Sequence, residues 1–303
     1  MFKRRFTFIC LLLVIFALSL PAFAQQDDED LLAYVVAAYD NMVEIETMAT
    51  TSTQFIDQTI EADGVTVVQT IEQTIDGLLR YGEDPAAEMT LVQSLLTQSG
   101  SQTIEVDLTM DMIQADETFY VRIYDVSDDF ATFYPAGWVN ITDNPGDMPG
   151  MEMLNVEQFT DMVDTALQYP INADTISSVE EIEDAEAIED VETRTFALEI
   201  DLEALQESDE FSDIAGMFNA GAAGVDIDAM MSQMFDGATM TMEVWIGTDD
   251  QLIYRVDMVM NIDAEIEGMI AGVGVVDMVQ TLTGTYTYSN FDQRFEVEAP
   301  SDL

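Results

Sequence analysis

The sequence predicts an α+β protein built around a long antiparallel sheet. Three observations lead there. Apolar residues alternate with polar ones over unusually long stretches, a hairpin signal separates two of those stretches, and helical periodicity is confined to a few segments between them. Strict alternation means strands with one dry and one wet face, which antiparallel sheets tolerate and doubly covered parallel sheets usually do not.

Residues 1–24 read as an export signal. Lys3, Arg4 and Arg5 precede an apolar run from Phe6 to Leu20, and Ala22-Phe23-Ala24 supplies a small-x-small cleavage site. The run stops at Pro21, short of the roughly 20 residues a membrane span needs. Cys10 lies inside it behind Phe8-Ile9, where a lipoprotein signal would place a small residue, so neither a lipid anchor nor a disulfide is expected. Residues 25–303 are expected to form one domain, soluble and monomeric, in the cell envelope or outside the cell.

Residues 28–46 carry Leu31, Leu32, Val35, Val36, Tyr39, Met42 and Val43 at helical spacing behind an acidic start. Strands are expected at 49–60 and 65–76. Asp84-Pro85 then looks like a cap and first-turn proline, with Met89, Val92, Leu95 and Leu96 on one helical face and Gly100 beyond. Ile104, Val106, Leu108, Met110 and Met112 alternate with polar residues as a strand. Further strands are expected at 118–125, 137–142 and 174–182. Between them Asn155 and Gln158 form a capping-box pattern before Phe159, Met162, Val163 and Leu167, closed by Pro170.

The second half has the clearest alternation: Phe196, Leu198, Ile200 and Leu202; Met240, Met242, Val244 and Ile246; and every even position from Tyr254 to Ile266. Gly247-Thr248-Asp249-Asp250 is the hairpin signal between the last two runs. Residues 201–219 read as helical, and Asp228, Met230, Met231, Met234 and Phe235 suggest a short helix ending at Gly237. Strands at 276–290 and 294–299 complete the chain.

Composition removes several functions. There are 60 Asp+Glu against 8 Lys+Arg, no His and one Cys. Nucleophile–imidazole pairs and His-ligated zinc are impossible, and nucleic acid, which needs clustered basic residues, is excluded as a partner. Cutting after Ala24 removes three basic residues and leaves five arginines against 60 acids, a charge of −55 over 279 residues. Acids spread along the whole chain fit a highly solvated surface for a salty or divalent-rich exterior better than one acidic docking face.

Met148, Met151 and Met153 form M-x-x-M-x-M in a Pro/Gly loop, a spacing thioethers use for Cu(I). No His or Cys supports it, and other Met pairs fall on apolar strand faces. No D-x-D-x-D-G loop marks calcium, and sixty acids make a search for a glycosidase pair uninformative. Neither metal nor cofactor is expected. Trp138 and Trp245 read as buried strand residues rather than a ligand mouth, and Arg122 as half of an ion pair rather than an anion site.

Four pieces together resemble the LolA/LppX-type envelope lipid-carrier superfamily over nearly all of residues 28–300. They are Ala37-Ala38-Tyr39-Asp40-Asn41-Met42; Thr118 to Arg122 leading to Gly137-Trp138-Val139-Asn140-Ile141; Glu243 to Arg255; and Tyr288-Ser289-Asn290-Phe291 before Glu298-Ala299-Pro300. The resemblance implies a curved, half-open antiparallel β-barrel with helices across its concave face, holding acyl chains and having no catalytic residues. It departs from that group in its acidity and in lacking the lipidation cysteine common in the LppX branch.

A one-sided sheet must cover its apolar face, and a loose cover leaves a hollow in which each buried methylene contributes about 0.8 kcal/mol. Expected lining residues are Leu198, Ile200, Met240, Met242, Val244, Tyr254, Val256, Met258, Met260 and Ile262, covered by Met230, Met231, Met234 and Phe235. Methionine suits irregular ligands because it is unbranched and polarizable. The expected function is an exported, non-enzymatic carrier of lipid or acyl chains, with a membrane or envelope protein as a further partner. The competing reading is a sensor or interaction module on the same fold with a filled core.

Overall fold

A computed structural model describes residues 29–82, 84–116, 118–127, 134–135, 137–142, 171–183, 187–188, 191–208, 227–267 and 275–301, without the side chains of 227–231. Helix α1 spans 29–43. Strands β1 (Thr47–Ala62), β2 (Val65–Arg80), β3 (Ala86–Ser99), β4 (Gln102–Ala115), β5 (Thr118–Val126) and β6 (Val139–Asn140) follow. The second half holds β7 (Ile176–Ile182), β8 (Thr193–Ile200), α2 (Leu202–Gln206), α3 (Ile227–Asp236), β9 (Ala238–Gly247), β10 (Ile253–Glu267) and β11 (Val275–Ser289).

All eleven strands form one antiparallel sheet in the order β6-β5-β4-β3-β2-β1-β11-β10-β9-β8-β7. It is two meanders joined where β1 pairs with β11, and β6 and β7 are its edges. It is not closed into a barrel. The β1–β2 loop is Asp63-Gly64, both residues at positive φ (50° and 78°), the backbone a two-residue hairpin needs to match strand twist.

Period two sorts the side chains as expected. On β9 and β10 the even positions Met240, Met242, Val244, Val256, Met258 and Ile262 are buried, while Thr239, Thr241, Asp263 and Glu265 are exposed. We call the buried side the inner face, because the helices pack there. Helix α1 buries Val35, Ala38 and Met42 against it, three residues at helical spacing. The Tyr34 ring lies 5.5 Å from that of Phe196, and the Ile253 amide donates to Met42 Sδ. Helix α3 lies on β10 and β9, where Met234 packs against a second cluster of Ile262, Ala264, Ile266 and Met278.

Two predicted elements are corrected. Residues 86–99 are strand, not helix, and pair along their whole length with β2 and β4. Their Ala, Leu, Met and Gln favour helix in isolation, but two full ladders outweigh that preference. Residues 294–299 form no strand. The preceding turn docks on the start of β1, where Thr47 Oγ1 donates to the Gln293 carbonyl at 2.8 Å, but β1 is already paired on both sides and has no edge to offer. Leu202 begins α2 instead of ending β8, because Asp201 caps the helix by accepting from the Glu203 and Ala204 amides. The expected helix after Asn155, the remainder of 209–219, and the Met148, Met151 and Met153 loop lie outside the described residues.

Candidate ligand-binding face

Register places inner-face residues of neighbouring strands in rows across the sheet. One row runs Ile200, Met240, Met260, Leu282, Ile56, Ile71, Leu95, Val106. On each side of it lies a row with glutamines: Gln280, Gln58 and Gln69 on one, Gln54, Gln73 and Gln93 on the other. Not one inner-face position of β9, β10, β11, β1, β2, β3 or β4 carries a charge, in a chain with 60 acids. The acids of these strands all fall on the outer face, with most of the threonines; Thr50 and Thr97 are on the inner one.

Burial divides this inner face in two. On β8, β9 and β10, under α1, Leu198, Met242, Val244 and Val256 are 0–5% exposed, and Ile200, Met240, Met258 and Ile262 are also buried. This flank is packed core. On β11, β1, β2, β3 and β4 the row Leu282, Ile56, Ile71, Leu95, Val106 is only half-buried, as are all six glutamines.

Of the lining expected from sequence, the structure therefore brings Leu198, Ile200, Met240, Met242, Val244, Val256, Met258 and Ile262 together as a tightly covered patch. Met260, Met234 and Phe235 lie at its half-buried margin. Met230 and Met231 belong to α3, but their side chains are outside the described residues. Tyr254 is displaced. A bulge between Ile253 and Arg255 gives Ile253 the core position, and the Tyr254 hydroxyl donates to Asp250 Oδ2 at 2.7 Å while its ring meets Phe291 edge-on. Burial and that carboxylate push the Tyr254 phenol up to about 12.

The half-buried centre was missed by the sequence reading. Its signal was present as glutamines four apart on one strand, Gln54 with Gln58 and Gln69 with Gln73, among same-side aliphatics. Gln58 donates to Gln280 Oε1 at 3.0 Å, and Gln69 to Thr97 Oγ1 at 3.3 Å. The amides of Gln54, Gln73 and Gln93 have no side-chain or backbone partner among the described residues.

Two of the arginines are occupied on the outer side. Arg122 pairs with Asp111 and stacks on Trp138 at 4.7 Å and Tyr124 at 5.0 Å. Arg255 pairs with Asp257 and covers Trp245, which is 4% exposed. Both tryptophans thus serve as platforms for arginine, and Arg122 is held by an ion pair, as expected. Two open grooves of about 490 and 430 Å³ are lined mainly by outer-face residues, acids and threonines with Phe55, Val92 and Val259 among them, and the larger also touches Gln54, Gln73 and Gln93. No group of three metal-ligating side chains and no helix long and apolar enough to cross a membrane occurs among the described residues.

No protein-family model and no curated protein matches the chain. Among solved structures it is similar to the translocator domain of the autotransporter NalP from Neisseria meningitidis, at 13% identity over 91% of this chain and 98% of that one, with a TM-score of 0.25. A DUF1329 family protein from Desulfovibrio piger matches at 11% identity over 86% and 95%, TM-score 0.18. A lipovitellin structure titled for lipid–protein interactions matches at 7% over 85% and 26%, TM-score 0.24. Scores this low assign no family. What the structure defines is an open eleven-stranded antiparallel sheet with few helices, one face of which is uncharged over β9, β10, β11, β1, β2, β3 and β4.

Proposed function

We propose that this chain is an exported, non-enzymatic carrier of a lipid or acyl chain, held on the centre of its inner face. The observation that carries the reading is the half-buried apolar row Leu282, Ile56, Ile71, Leu95, Val106 beside a flank that is packed shut. Five adjacent strands at about 4.8 Å spacing make that row roughly 19 Å long, a length suited to an extended acyl chain. The proposed architecture is the curved half-barrel that the sequence resembles, with α1 and α3 closing one side. A membrane-spanning barrel is disfavoured by the outer face, where Asp57, Glu61, Glu72, Asp107 and Asp277 would meet hydrocarbon.

The test is to purify the protein from its native host, extract it with organic solvent and identify the extract by mass spectrometry. Stoichiometric lipid and uptake of a fluorescent fatty-acyl probe are expected. A clean extract with no probe uptake overturns the carrier reading and favours an interaction module with a filled core.

A further inference from the structure

We infer that the end of the sheet carrying the β1–β2, β3–β4 and β10–β11 connections is a docking surface for a basic protein partner, one that presents an apolar patch within a rim of Lys or Arg. Nine large apolar side chains are exposed among the described residues, and five of them, Val65, Val68, Ile104, Val275 and Val279, lie within five residues of those connections. Val68 and Val279 are 40% and 53% exposed and face the same outer side, separated only by Thr59 of β1. Apolar surface scattered singly needs no explanation, but surface gathered at one place marks an interface.

Charge selects the partner. Further along the outer face, Asp57 accepts from Thr70, Asp76 from Thr51, Asp111 from Thr90 and Arg122, and Asp257 from Arg255. Beside Val279 the register instead sets Glu265, Asp277 and Glu61 abreast on β10, β11 and β1. None of these three has a hydrogen-bond or ion-pair partner among the described residues. Like charges directly opposite one another cost stability, so the row is a liability in the isolated protein and an asset only against positive charge. The arginines stand at the other end. Arg80, Arg194 and Arg255 lie on the far parts of β2, β8 and β10, Arg122 shares a cross-strand row with Arg255, and Arg294 follows the turn that docks on the start of β1. Glu265 is ten residues along β10 from Arg255, roughly 33 Å at about 3.3 Å per residue. Arg122, Arg194 and Arg255 are moreover occupied by their own carboxylates, so a second copy of this chain offers little positive surface, and an anionic bilayer is repelled. Valines set among unpaired carboxylates are complemented by a basic protein.

The experiment follows the fluorescence anisotropy of two labelled synthetic peptides of equal charge, one of lysine and leucine and one of lysine and serine, at about 0.15 M NaCl. The lysine–leucine peptide is expected to bind about tenfold more tightly, as the exposed valines become covered. Val68→Thr/Val279→Thr, which keeps the side-chain shape on an exposed face, should bring it to the lysine–serine level. Glu61→Gln/Asp277→Asn/Glu265→Gln should weaken both peptides about fivefold and raise the melting temperature. Glu72→Gln/Glu88→Gln/Glu243→Gln, which removes the same charge elsewhere on the outer face, should leave both peptides within about twofold of wild type. Equal weakening by the two triple variants means that only net charge is read and overturns the inference, as does a valine variant that binds like wild type. Binding of the protein to phosphatidylcholine vesicles that is lost in the valine variant also overturns it, since the occupant would then be a bilayer. None of these substitutions touches the half-buried inner row, so failure here leaves the carrier reading standing.

Discussion

Arg194 and Glu181 form a two-pronged ion pair between β8 and the edge strand β7, Nε to Oε1 and Nη2 to Oε2, each at 2.7 Å. The same guanidinium stacks on Tyr34 of α1 at 4.5 Å and on Phe196 at 5.0 Å. One side chain thus ties the sheet edge, the first helix and the core together.

Arg194→Met should therefore cost about 1–2 kcal/mol, read as a lowered denaturation midpoint. Its hydrogen bond holds the Glu181 carboxyl below the usual glutamate range. A lowered folded-state value means the pair stabilises above the ordinary value of about 4.3 and fades as pH falls through the folded one. The gap between wild type and variant should accordingly close in acid. A gap independent of pH would refute the linkage.

Tyr254 gives the opposite sign at alkaline pH. Its folded-state value of about 12 lies above the ordinary tyrosine value, so its contribution is intact below about pH 10 and is lost as pH rises through 12. Absorbance titration should show one late tyrosinate that is missing in Tyr254→Phe. An unchanged titration curve in the variant would rule this out.

Gly237, between α3 and β9, leaves no room for a side chain: a Cβ there would stand next to the Asp263 carbonyl oxygen of β10. The obstacle is backbone and cannot swing aside. Gly237→Ala should cost about 1–3 kcal/mol, and hydrogen exchange should rise in α3 before the rest of the fold. Uniform exchange across both would argue against a local effect.

Packed and open parts of the inner face should respond differently. Leu198→Ala, at a site 1% exposed, should cost about 2–5 kcal/mol yet leave acyl-probe affinity of the folded protein unchanged. Ile71→Trp, in the half-buried row, should change stability by no more than about 1 kcal/mol and cut uptake at least tenfold. Uptake unaffected by Ile71→Trp would place the ligand elsewhere.

With a net charge of −52, the folded state should gain from screening. Raising NaCl from about 0.05 to about 1 M shortens the Debye length to about 3 Å, and the melting temperature should rise by several degrees. A flat response would mean that the outer acids are spaced too widely to repel.

The strands of the second half were legible because each repeats apolar and polar residues without interruption, as in Met240, Met242 and Val244. β3 was not, because Met89, Val92, Leu95 and Leu96 satisfy a helical stripe as well as a ladder, and only the neighbours β2 and β4 decide between them. Tyr254 fitted the alternation and still left it, since a bulge depends on the partner strand as much as on its own.

Local residue order by itself determined the antiparallel class, the uncharged and acidic faces, and the absence of histidine chemistry, because each is a property of composition or of a two-residue period. The tertiary structure alone decided which part of the oily face is shut and which three glutamines stand abreast. Those depend on register between strands distant in the chain and on where α1 and α3 come to rest, which no local repeat encodes.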